Sequence, residues 1–191
     1  MYNYLLLVVI YALLSRGRVF ASSNNDQFDS FDNVLPQNIL ETLSLQCNLV
    51  ADWVTKQDFT KVLIHNKKQT FWMPINRKTV APQFTIETAI LLIRDLDEPW
   101  FLSNKIVGAE WWVQRTNQDG KIGFHYDKDE GEASMHGRMR HPVISTVTYL
   151  TNEGAPTMVF NMTTNGNADF PVIPTKAFIS FPKKNRHTVF L

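Results

Sequence analysis

Between residues 35 and 57 the apolar positions fall three and four apart. Ile39, Leu43, Cys47, Val50 and Val54 make one stripe, which predicts a helix over Leu35–Gln57. Pro36 suits its first turn, where a missing N–H costs nothing. A second stripe, Ile86, Ala89, Ile90 and Ile93, predicts a helix over Thr85–Leu96, with Thr85 as N-cap and Pro99 barring continuation. Residues 60–82 between them are mixed; Phe71-Trp72-Met73-Pro74 marks one or two short strands or a loop. After Phe101 the pattern turns to short runs of β-branched and aromatic residues. Strands are predicted over Lys105–Thr116, Ile122–Asp127, Val143–Thr151, Thr157–Asn161, Phe170–Ile173, Ala177–Phe181 and His187–Leu191, with a turn at Asn117-Gln118-Asp119-Gly120. Helices followed by many short strands define an α+β chain, with helices packed on one side of a β-barrel or jelly roll.

The first residues follow neither pattern. Tyr4 to Leu14 is a continuous apolar run too short to span a bilayer, and Val19-Phe20-Ala21 offers small residues before a cleavage point. This predicts a signal peptide over residues 1–21, Ser22 as the first mature residue, and a location in the secretory pathway, secreted or in the endoplasmic reticulum lumen. The membrane is then met only transiently, through the leader. The fit departs from the usual form: no Lys or Arg precedes the run, while Arg16 and Arg18 follow it. A short membrane anchor is the second reading. A buried strand ranks lower, because nothing upstream could pair with it. Residues 22–34 are polar (SSNNDQFDSFD to Asp32) and read as a flexible lead-in, leaving 35–191 as the folded domain.

Composition narrows the function classes. A chain of 191 residues makes one domain with a sizeable core, and 13 Phe, 5 Trp and 5 Tyr favour β structure. The net charge is +1 without a basic run, which gives no support for nucleic-acid binding. Removal of the leader takes two arginines and brings the charge to −1. Cys47 is the single cysteine, so neither an intrachain disulfide nor a Cys-rich zinc site can form; its place on the helical stripe makes it a core residue.

The candidate chemistry lies in Gly123-Phe124-His125-Tyr126-Asp127-Lys128-Asp129-Glu130. On a strand, residues i and i+2 share a face, so His125 and Asp127 can reach one metal ion. With a distant second histidine they would complete a two-His-one-carboxylate triad, which suits non-haem Fe(II). The spacing alone is a weak signal that also fits a solvated turn. Trp111 and Trp112 alternate faces on one strand, and both read as packing residues. Asp129 and Glu130 read as solvated carboxylates, His141 as orienting the entry to the next strand, and His65 as outside any catalytic context. Asn161-Met162-Thr163 is a glycosylation sequon beside a predicted core strand.

Taken in order, Ala109-Glu110-Trp111-Trp112, the His125 segment, His141-Pro142-Val143-Ile144-Ser145-Thr146-Val147-Thr148-Tyr149-Leu150, Gly154-Ala155-Pro156-Thr157 and Phe181-Pro182-Lys183-Lys184-Asn185-Arg186 resemble a eukaryotic branch of the 2-oxoglutarate- and Fe(II)-dependent oxygenases. The resemblance covers roughly the second half of the chain. It implies a double-stranded β-helix and the cofactors Fe(II), 2-oxoglutarate and ascorbate. It also implies a hydroxylase-type reaction in which 2-oxoglutarate becomes succinate and carbon dioxide while an unknown substrate, protein or small molecule, is oxidised. His125 and Asp127 match the first two metal ligands. Tyr149 matches a tyrosine that holds the distal carboxylate of 2-oxoglutarate. The polar stretch Asp129–Arg140, with His136, resembles a mobile loop over the site. The family's distal histidine has no clear counterpart. His187 is the sole histidine after His141, yet Pro182-Lys183-Lys184-Asn185-Arg186 corresponds to a segment that comes before the ligand-bearing strand. The sequence is therefore expected to stop short of the last strand, with His187 as the alternative third ligand. The competing functions are a non-catalytic jelly-roll binding module that has lost the metal site, an inactive fragment of the oxygenase, and a cupin-like metalloenzyme, for which a His-x-His cluster is lacking.

Overall fold

The structure is a computed structural model that describes residues 4–13, 28–56, 71–75, 85–97, 106–116, 123–164 and 169–190. Ten strands and three helices occur among them. In chain order they are β1 (Tyr4–Leu13), β2 (Phe28–Asp32), α1 (Gln37–Lys56), β3 (Phe71–Pro74), α2 (Thr85–Asp97), β4 (Ile106–Thr116), α3 (Glu130–His136), β5 (Ile144–Tyr149), β6 (Thr157–Phe160), β7 (Thr163–Thr164), β8 (Asp169–Phe170), β9 (Ala177–Ser180) and β10 (Arg186–Phe190). The chain is α+β, as expected, with antiparallel strands in open sheets: one of six strands in the order β2-β10-β5-β1-β4-β3, and two pairs, β6-β9 and β7-β8.

The helical stripes do what their spacing dictates. Leu40, Leu43 and Cys47 of α1 and Ile86, Ala89, Ile90 and Ile93 of α2 are buried in one cluster with Met73, Ala109, Trp111, Ile144 and Val189 from the large sheet. Each Leu or Ile so buried contributes about 1.5–3 kcal/mol relative to exposure. Asn185 fastens this layer to β10. Its backbone holds a left-handed φ of 67°, which Asn tolerates, and its side-chain amide donates to Leu35 O and accepts from Leu35 N–H at 2.8 and 2.9 Å.

The period of two on β5 and β10 sorts side chains to opposite faces. Ile144 and Val189 enter the helix-side core, while Val147 and Tyr149 pack on the other side with Trp112 and Phe190. The pair β6-β9 lies over this second face: Tyr149 Oη is 2.9 Å from Ser180 O, Ser180 Oγ is 2.7 Å from Thr188 Oγ1, and Phe178 stacks on Phe28 at 5.2 Å. Trp111 and Trp112 thus divide between the two faces, and both are packing residues.

Two expected strands need correction, and two N-terminal segments are found paired in the large sheet. The apolar run does not stay outside the fold: Tyr4–Leu13 lies between β4 and β5, antiparallel to both. Its partners come from downstream, which removes the objection that nothing upstream could pair with it. The lead-in is not wholly flexible, because Phe28–Asp32 pairs with β10. An edge strand tolerates polar residues on its open side, and Phe31 packs against the core. Residues 123–127 lie in no strand, and Phe170–Ile173 is reduced to the two residues of β8. The expected turn at 117–120, His65 and the cleavage point at 19–22 lie outside the described residues.

Candidate metal centre

Residues 123–129 form an extended connection into α3 and carry their own restraints. Phe124 reaches Phe160 of β6, ring centroids 5.0 Å apart. Tyr126 meets His141 edge-on at 6.1 Å and is hydrogen-bonded to Asp169 of β8. Asp129 is the N-cap of α3: its carboxylate accepts from Glu132 N–H at 2.9 Å, and its own N–H donates to Arg140 O at 2.8 Å. Residues 129–140 are therefore not an open loop. They enclose a capped helix that ends at Gly137, whose φ of 62° suits a left-handed C-cap. Asp129 is a structural cap, and His136 is an exposed residue in the last turn of α3.

His125 and Asp127 converge although their segment is no strand: Nε2 lies 3.3 Å from Oδ1. The Asp127 side chain is 17% exposed and that of His125 57%, so the pair is open on the imidazole side. His125 Nδ1 lies 2.9 Å from Gly123 O. A carbonyl oxygen only accepts, so this bond places the proton on Nδ1 and turns the Nε2 lone pair toward the carboxylate. Two electron-pair donors at that separation call for a cation, a proton or a metal ion, beside them. Fixing the far nitrogen by a carbonyl is also how metal-binding histidines are oriented. The donor set therefore fits two ligands of one metal ion.

The other candidates do not join this pair. His187 is buried on β10, directly opposite Thr148, and its Nδ1 is 2.9 Å from Thr148 Oγ1. It shares a face with Val189, on the helix side of the sheet, away from Tyr149 and the β6-β9 pair. Among the described residues no group of three or more His, Cys, Asp or Glu side chains is placed to hold a metal. His187, the alternative third ligand, is directed by alternation on β10 into the helix-side layer. Tyr149 is on the same face as the second sheet, but its hydroxyl is engaged there. It lies 2.6 Å from Thr157 Oγ1, 2.9 Å from Ser180 O, and accepts from Thr157 N–H at 3.2 Å. A carboxylate binding at this hydroxyl would have to displace one of these partners.

His141 and Asp169 were not foreseen as neighbours of the pair. Only His141-Pro142 before a β-rich run hinted at a fixed strand entry; no spacing relates Asp169 to Tyr126. Cys47 is buried, and desolvation pushes its thiol up to about 12, which removes it as a nucleophile. The sequon Asn161 uses its carboxamide internally, accepting from Thr175 N–H and Lys176 N–H and donating to Thr175 Oγ1.

No protein-family model, curated protein or solved structure matches the chain.

Proposed function

We propose that this chain is an Fe(II)/2-oxoglutarate-dependent oxygenase of hydroxylase type, built on a double-stranded β-helix, with His125 and Asp127 as metal ligands. The observation that carries the reading is the convergence of His125 Nε2 and Asp127 Oδ1 at 3.3 Å, with the imidazole oriented by Gly123 O. Bound there, Fe(II) with 2-oxoglutarate would supply the oxidising chemistry. The protein's part is to orient the imidazole through Gly123, to shield the carboxylate, and to leave the His125 side open to substrate. Ascorbate would serve to keep the iron reduced. The second reading, a binding module or fragment without turnover, is favoured by the placement of His187 on the opposite face. A secretory location, expected from the leader-like run, competes with the use of those residues as β1.

The test is succinate formation from 2-oxoglutarate by the full chain with Fe(II) and ascorbate, beside Co(II) binding followed by visible absorption. Co(II) binding lost in His125→Ala and Asp127→Ala supports the metal site, and turnover lost in the same variants supports the oxygenase. Binding without turnover selects the second reading. Co(II) binding equal in wild type and both variants would overturn the site.

A further inference from the structure

His141 is an exposed side chain whose two ring nitrogens each face a backbone carbonyl oxygen; a carbonyl only accepts, so a ring carrying one N–H bonds one of them at a time. Nδ1 lies 3.1 Å from Asp127 O and Nε2 lies 2.9 Å from Thr164 O. The first partner is the backbone of a proposed metal ligand. The second is a strand residue of the β7-β8 hairpin, where Thr164 pairs with Asp169. The same hairpin bonds back to the ligand segment, because Asp169 holds the Tyr126 hydroxyl, and the Tyr126 ring stands edge-on against His141. His141 thus stands between two pieces of chain that are joined by no ladder, within bonding distance of each. It does so from a firm base: three residues on, Ile144 opens β5 fully buried in the core. Asp129 N–H to Arg140 O, at 2.8 Å, adds a second staple beside it.

We propose that His141 is a positioning residue for the His125–Asp127 pair: it fixes the Asp127 backbone against the β7-β8 hairpin and so sets where the carboxylate stands relative to the imidazole. The inference rests on the metal reading of that pair. Groups that orient ligands from behind change metal affinity by about 10–100-fold when removed. A side chain on a segment without ladder bonds depends on such partners more than one on a strand, where neighbours repeat the restraint.

The test uses the full chain without added metal for hydrogen exchange, and the same protein for Co(II) titration. His141→Ala is expected to speed amide exchange across residues 123–129 and 163–170, to leave exchange in β5 and α1 unchanged, and to weaken Co(II) by about tenfold or more. His141→Gln carries its two N–H groups on one nitrogen and restores one contact, so its Co(II) affinity should fall between those of wild type and His141→Ala. Unchanged exchange and unchanged Co(II) affinity in His141→Ala would overturn the proposal. Faster exchange with wild-type affinity would also overturn it, by reducing His141 to a structural tether. If wild type and His125→Ala bind Co(II) equally, the metal reading itself has failed, and the positioning role falls with it, whatever the exchange data show. General loss of exchange protection in His141→Ala would shift the decision to His141→Gln, whose wild-type affinity would count against the role.

Discussion

Replacing Tyr149 by Phe removes one oxygen from the interface between the large sheet and the β6-β9 pair. The residue is 1% exposed, and its hydroxyl meets Thr157 Oγ1, Ser180 O and Thr157 N–H. Ser180 is buried and cannot turn to water, whereas Thr157 is half-buried and can recover part of its loss. A buried polar group left without a partner costs about 1–3 kcal/mol. One full penalty and one partial penalty give about 2–3 kcal/mol for Tyr149→Phe. For a chain of this size each kcal/mol moves the melting temperature by about 2–4 °C, so a fall of about 5–10 °C is expected. Tyr149→Ala should cost more, by a cavity term that brings large aromatic deletions to about 3–5 kcal/mol. Urea titration checks this: the midpoint should fall with the slope unchanged. A Phe variant within about 0.5 kcal/mol of wild type, the scatter of surface substitutions, would refute the interface role. A variant of wild-type stability with a raised KM for 2-oxoglutarate would instead assign the hydroxyl to the cosubstrate.

Asp32 accepts from Arg186 Nε at 2.7 Å and Lys183 Nζ at 2.6 Å, and those two bonds, Arg186 first, hold its carboxyl well below the usual range. A depressed folded pKa stabilises above the unfolded value of about 4 and loses that stabilisation as pH falls below it. Asp32→Asn should therefore lose no more than about 1 kcal/mol at pH 7, since the pair is part-exposed, and the gap to wild type should close below about pH 4 in urea titrations. Cys47 should resist iodoacetamide at neutral pH in the native protein and react on unfolding; prompt native labelling would contradict its burial. Deleting residues 1–21 removes β1 and parts β4-β3 from β5-β10-β2, so no cooperative unfolding transition should remain by circular dichroism. Folded protein beginning at Ser22 would refute that.

The helices were legible from their stripes: of the stripe positions whose side chains are described, Leu43, Cys47, Ile86, Ala89, Ile90 and Ile93 are buried and Ile39 is partly buried. The strands of the second half were legible from β-branched and aromatic runs, best at β5, whose six residues are all buried. The candidate pair was legible for a partly mistaken reason. Strand alternation suggested that His125 and Asp127 share a face, yet they meet on a segment without a ladder, with Gly123 O against the His125 ring and the His141 ring against the Asp127 carbonyl. The place of His141 was hidden, because contacts across 14 and 23 residues to carbonyl oxygens leave no mark on side-chain type. The short strands β7 and β8, of two residues each, fall below what any period can register.

The apolar run at residues 4–13 shows how one pattern can serve two uses. A secretory leader and a strand covered on both faces have the same requirement, an unbroken series of apolar side chains, so hydropathy cannot separate them. What separates them is pairing. β4 and β5 run parallel to each other with one strand width between them, and a strand antiparallel to both bonds every alternate group on each side. Nothing near residue 4 encodes that slot; it is created by residues 106–116 and 144–149, more than ninety positions away. The two uses exclude each other, since a cleaved leader cannot hold a sheet together. If the leader is removed, the slot opens two edges at the centre of the sheet, beside the strand that carries Tyr149, and some other strand must close it before this side of the molecule is solid. The fate of ten residues at the start of the chain thus governs the continuity of the six-stranded sheet, and the N-terminus of the folded protein is the measurement on which its location turns.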